Sequence, residues 1–85
     1  MDIDALLRYA SEFSPPESSI RSKIVQHTAE TCPGVDMISG PIVGGLMQLL
    51  MRLAGAKTCL DIGAFTGYSA VTMAEGLSSC NIAAI

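Results

Sequence analysis

The stretch Lys57-Thr58-Cys59-Leu60-Asp61-Ile62-Gly63-Ala64-Phe65-Thr66-Gly67-Tyr68-Ser69 constrains the fold more than any other part of the chain. Thr58 to Ile62 is short, apolar and β-prone, which suits a strand buried on both faces of a parallel sheet. Gly63 and Gly67 mark a turn. Tyr68 to Leu77 then has helical spacing, with Val71, Ala74, Ala70 and Leu77 facing inward. After the polar break Ser78-Ser79-Cys80-Asn81, the run Ile82-Ala83-Ala84-Ile85 reads as the second strand of a βαβ unit. Asp61 is the only carboxylate between Asp36 and Glu75, and it sits between Leu60 and Ile62, where an unpaired ionised group is costly to bury. Either the amides of the following turn satisfy it, or a positively charged ligand group does.

The segment before this unit reads as helical. Leu6, Tyr9, Ala10 and Phe13 repeat at helical spacing from Asp4 to Phe13, with Asp4 placed to cap the first turn. Ser14-Pro15-Pro16-Glu17 has the form of a capping box, which predicts a second helix from there to about Thr31, stopped by Pro33-Gly34. Ile20, Ile24 and Thr28 share one stripe of that helix, while Arg21, Lys23 and Glu30 lie elsewhere. His27, the only histidine, has no partner at a recognisable spacing and receives no role. Ser39, as N-cap, and Pro41 open a third helix carrying Val43, Leu46, Leu50 and Leu53 on one stripe, and Gly55 ends it in a left-handed cap. Met47, Leu49 and Met51 leave that helix apolar nearly all round, so it needs cover on most sides. The methionines read as core filler.

With 85 residues the chain is one small partial domain, helices over 1–55 and the start of an α/β sheet over 56–85. Hydrophobic residues make up 49% and charged residues 15%, and mean hydropathy is +0.45. Such a balance leaves apolar surface to be covered by further chain or a partner. The net charge of -3 and the scattered Arg8, Arg21, Lys23, Arg52 and Lys57 give no footprint for nucleic acid. The acidic start, Met1-Asp2-Ile3-Asp4, shows no secretory signal. Met37 to Ala54 is broken by Pro41, Gly44, Gly45, Gln48 and Arg52, so it reads as a buried helix and no membrane partner is expected. Cys32, Cys59 and Cys80 form no CxxC pair and leave one over if two were joined, which points to reduced thiols and a cytoplasmic protein.

The turn excludes two phosphate motifs. GxGxxG is absent, because Ala64, Phe65 and Thr66 separate Gly63 from Gly67, and Tyr68-Ser69 follows the second glycine where a P-loop has lysine and a hydroxyl residue. An acid two places before the first glycine suits a cationic group better than a pyrophosphate.

Asp61 to Ala70, preceded by Gly55-Ala56-Lys57, resembles the first S-adenosylmethionine motif of the cation-dependent O-methyltransferases, the caffeoyl-CoA and catechol O-methyltransferase group. The extension through Phe65-Thr66-Gly67-Tyr68-Ser69 is the specific part, and the likeness also covers Ala5 to Tyr9, Ser14 to Glu17 and Met37 to Leu53. The resemblance implies an α/β fold: N-terminal helices plus the first βαβ unit of a Rossmann-like methyltransferase, incomplete. It implies that Asp61 engages the methionine part of S-adenosylmethionine, in a place where most relatives have Glu. Gly63 and Ala64 would line it through their backbones, Ser69 would bond its carboxylate end, and Ser39, where relatives often have Thr, would approach from the preceding loop. Gly44-Gly45 stands where Gly-Gln is usual.

The family reaction moves a methyl group to a phenolic or catechol-type oxygen of a small molecule with help from a divalent cation such as Mg, in a protein expected to be a homodimer. No catalytic or metal-binding residue falls within this sequence on that resemblance, so the chain alone is expected to be inactive. A truncated, non-catalytic binding or dimerisation module is the alternative.

Overall fold

A computed structural model describes all 85 residues. The first helix, α1, spans Ile3–Glu12. Its cap is Asp2 and not Asp4: Asp2 has extended backbone angles, and its Oδ1 accepts from the Ala5 amide at 3.1 Å. Asp4 already lies in the first turn, where its charge complements the helix dipole.

The capping box expected at Ser14 does not form. Ser14 Oγ donates back to the Ala10 carbonyl at 2.6 Å, and the second helix, α2 (Ser19–Thr31), begins only after Ser18, whose Oγ accepts from the Arg21 amide at 3.2 Å. Pro16 disfavours helical angles at Pro15, so a helix cannot nucleate across that pair. Arg21, off the stripe shared by Ile20, Ile24 and Thr28, is nonetheless buried, as is Thr28.

A 3₁₀ turn at Val35–Met37 leads to α3 (Gly40–Ala54). Ser39 precedes α3 without capping it, because its own backbone is helical (φ -60°, ψ -39°) and a capping serine needs an extended one. Gly55 closes α3 in the left-handed conformation, as expected.

The core face of α3 is Gly44, Gln48 and Met51, not the leucine stripe. Val43, Leu46, Leu50 and Leu53 stay 48 to 74% exposed. Backbone proximity decides this. Helix α4 (Tyr68–Gly76) crosses α3 so closely that a Cβ on Gly76 would sit 2.6 Å from Gln48 Cγ. Gln48 Nε2 donates to the Thr72 carbonyl and Arg52 Nε to the Gly76 carbonyl, each at 2.8 Å. Although Val35–Ala54 is long and apolar enough to cross a membrane by length and composition, these two bonds tie its helical part to α4.

The strands β1 (Thr58–Asp61) and β2 (Asn81–Ala84) pair in parallel, Thr58 with Asn81 through Asp61 with Ala84. Helix α4 makes the crossover and covers one face, where Met51, Met73 and Cys80 form a small core flanked by Cys59 and Ile82. The other face is open, with Leu60 and Ile62 exposed, so β1 is covered on one side where two were expected. The inward residues of α4 also differ from the apolar pattern. Tyr68, Thr72, Met73 and Gly76 are buried, and Ala74 is exposed. Helix α4 is wedged between the sheet and α2 and α3, and the polar side chains on its second face find partners there.

Candidate functional site

The turn from β1 to α4 holds three residues in the left-handed region: Gly63 (φ 75°), Phe65 (φ 51°) and Gly67 (φ 93°). Both glycines have open space where a Cβ would stand, so backbone angle and not crowding calls for glycine. Phe65 adopts the same region with a side chain, at a cost of about 1–2 kcal/mol. It is also half-exposed. Strain of this kind, held in a turn at the carboxyl end of a parallel strand, marks a functional loop in open α/β folds.

Asp61 is half-buried at the end of β1. Its Oδ2 accepts from Ser69 Oγ at 2.6 Å. The turn amides do not reach it. Those of Gly63 and Ala64 donate instead to the Ile85 carbonyl at 2.8 and 3.0 Å, continuing the strand ladder. Of the two possible ways to satisfy this carboxylate, backbone capping is therefore set aside. One hydroxyl serves a group with about four acceptor positions, and the single ion pair of the molecule, Arg21 with Glu75, lies elsewhere.

Ser39, Gly63, Ala64 and Ser69 line one cavity of about 70 Å³ together with Ile38, Phe65 and Thr66. Four of the five residues singled out from sequence thus share a wall, and Asp61 joins them through its bond to Ser69. Gly63 and Ala64 contribute shape to that wall, since their amides are committed to Ile85.

The sequence did not reveal what anchors the loop. Thr66 Oγ1 is hydrogen-bonded to Thr28 Oγ1 at 2.9 Å, which ties the turn to α2. The Tyr68 hydroxyl donates to Glu17, which also accepts from Ser22 Oγ. Arg21 Nε reaches Glu75 Oε1 at 2.8 Å, and its guanidinium lies 5.8 Å from the centre of the Tyr68 ring. Burial, then the hydrogen bond to Glu17 and its charge, push the Tyr68 phenol up to about 12, with Arg21 opposing. These partners are 38 to 54 residues apart in sequence, so no local spacing announces them. His27 does not line the loop cavity; it lies in an open groove with Ile20, Lys23 and Ile24 that meets the loop at Thr66.

The comparisons agree with this geometry. The O-methyltransferase family profile matches residues 11–85. Two proteins of Dictyostelium discoideum, probable caffeoyl-CoA O-methyltransferases 1 and 2, are each 31% identical over 71 residues, covering 84% of this chain and 31% of theirs. Among solved structures, the SAH-bound Podospora anserina methyltransferase PaMTH1 superposes with a TM-score of 0.85 at 25% identity, over 96% of this chain and 36% of that one. The chain thus spans about a third of the length of these relatives. With its strained glycine turn, its strand-end carboxylate and a profile match from the end of α1 onward, the chain belongs to the O-methyltransferase family.

Proposed function

We propose that these residues are the cofactor-binding part of an S-adenosylmethionine-dependent O-methyltransferase, with Asp61 receiving the ammonium group of the cofactor's methionine moiety. The observation that carries this reading is the half-buried Asp61 carboxylate, which has one hydroxyl donor and no cation beside it. Unit charges about 4 Å apart attract by roughly 4 kcal/mol at an effective dielectric near 20, more than a neutral donor offers. Ser69 can turn its hydroxyl from Asp61 to the cofactor's carboxylate end, Ser39 closes the same cavity from the loop before α3, and Gly63 and Ala64 shape its floor. At about 70 Å³ the cavity is well below the roughly 300–1,000 Å³ of a whole small-molecule pocket, so it would take only part of the cofactor.

The acceptor is a small molecule with a phenolic or catechol-type hydroxyl, a reading supported by the names of the Dictyostelium relatives. A divalent cation would lower the pKa of that hydroxyl and hold it in line. These 85 residues gather no group of three or more potential metal-ligating His, Cys, Asp or Glu side chains, so neither the cation nor a catalytic base is assigned to any of them. The whole protein is proposed to be cytoplasmic and homodimeric, with neither nucleic acid nor membrane as partner.

Calorimetric titration of the chain with S-adenosylmethionine tests the reading. A charge-assisted hydrogen bond contributes about 1.5–3 kcal/mol, so Asp61→Ala should weaken binding by roughly ten- to a hundredfold, and Asp61→Glu should retain it. Equal affinity in the native chain and Asp61→Ala would remove the role given to this carboxylate. A cooperatively folded chain that binds no cofactor would favour the non-catalytic module.

A further inference from the structure

Cys59 and Cys80 lie 21 residues apart in sequence, yet the fold sets their sulfurs 3.5 Å apart, with the Cys80 thiol donating to Cys59 Sγ. Both belong to the covered side of the sheet, against Met51 and Met73. Cys80 is buried and Cys59 is half-buried. Core filling accounts for the burial of either residue alone but does not require the two thiols to meet. A zinc site is excluded by the want of a third and fourth ligand.

We propose that Cys59 and Cys80 are a redox modification site, closing to a reversible disulfide under peroxide. Cys59, the less buried of the two residues, attacks hydrogen peroxide; the O–O bond breaks, one oxygen stays as Cys59 sulfenic acid and the other leaves as water with the thiol proton. The Cys80 sulfur then attacks the sulfenyl sulfur, the S–O bond breaks, and the departing hydroxide takes the Cys80 proton as a second water. Two thiols lose two electrons and the peroxide is reduced.

The accessibility difference sets the order of events. Burial, together with Cys59 beside it, raises the pKa of the Cys80 thiol, which makes Cys80 the poorer first nucleophile. Bond formation needs an approach of about 1.5 Å, from 3.5 Å to the S–S length near 2.05 Å. Flexible methionine side chains above the pair, and a sheet whose opposite face is open at Leu60 and Ile62, give room for that movement. The ring so closed contains the whole Asp61 to Ser69 loop, because Cys59 lies two residues before Asp61 and Cys80 one residue before β2. Oxidation therefore staples the loop's two supporting strands whether or not the loop binds S-adenosylmethionine.

The test uses the full chain, reduced and then exposed to hydrogen peroxide. Thiols titrated under denaturing conditions should fall from three per chain to one, Cys32 remaining. The intact mass should drop by two hydrogen atoms, a digest should yield one peptide linking Cys59 to Cys80, and dithiothreitol should reverse all three changes. Cys32→Ser should fall from two thiols to none, and Cys80→Ser should accumulate a dimedone-reactive sulfenic acid at Cys59. Three thiols persisting after treatment would overturn the proposal, as would Cys59 passing to sulfinic acid while Cys80 stays alkylatable. The three readouts on the native chain are independent of how the variants fold.

Discussion

Tyr68 shows how much a single side chain can do for the loop it follows. Its ring is buried under Arg21 and its hydroxyl donates to Glu17, so the neutral phenol is the form the fold favours. A group whose pKa is raised on folding, here from 10.0 to about 12, adds stability that is fully present below pH 10. It is lost as pH rises toward 12. Thermal melts across that range should show native stability falling more steeply than that of Tyr68→Phe, which lacks the titrating group, while Tyr68→Phe should be the less stable of the two at neutral pH. Parallel curves would mean that Tyr68 does not couple folding to pH. Asp61 and the two glycines stood out by local spacing, and Ser69 entered only through the resemblance of the motif that contains them. The Thr28, Glu17 and Arg21 anchors did not stand out, because their value depends on partners brought from 38 to 54 residues away.

At the scale of elements, helix boundaries followed from local chemistry except where two local signals competed. Ser14 and Ser18 are both able caps, and the intervening Pro15-Pro16 decided between them. The face of α3 was misjudged for a different reason. Apolar periodicity picks the most hydrophobic stripe, whereas the α3–α4 contact is set by small residues that let backbones approach. Gly76→Ala measures that rule. Alanine would gain about 1 kcal/mol of helix propensity over glycine, but its Cβ would meet Gln48 Cγ at 2.6 Å. Overpacking costs about 1–3 kcal/mol, so a net loss of up to about 2 kcal/mol is expected in urea unfolding. Leu53→Ala, on the 74% exposed side, should change stability by about 0.5 kcal/mol or less. A stabilised Gly76→Ala protein would show that α3 and α4 can separate freely.

As a whole, the molecule leaves a large share of its apolar side chains uncovered. Val43, Leu46, Leu50 and Leu53 on α3, and Leu60 and Ile62 beside them in the chain's order, are all about half or more exposed. Each strand also has one unpaired edge, a template for pairing between copies. The chain studied by itself should therefore self-associate: sedimentation velocity should show species heavier than monomer, reduced by the combined change Leu46→Gln, Leu50→Gln and Leu53→Gln. A single monomeric boundary for the native sequence would contradict this. The apolar excess was visible in composition; its location was not, since composition carries no address. Helix α4 touches α2, α3 and both strands, whereas α1 meets α3 alone. Ser69, in the first turn of α4, carries any ligand at the loop directly onto that shared support. A ligand there would thus raise the melting point of the domain as a unit, and a dye-based thermal scan could rank candidate cofactors without any catalytic turnover.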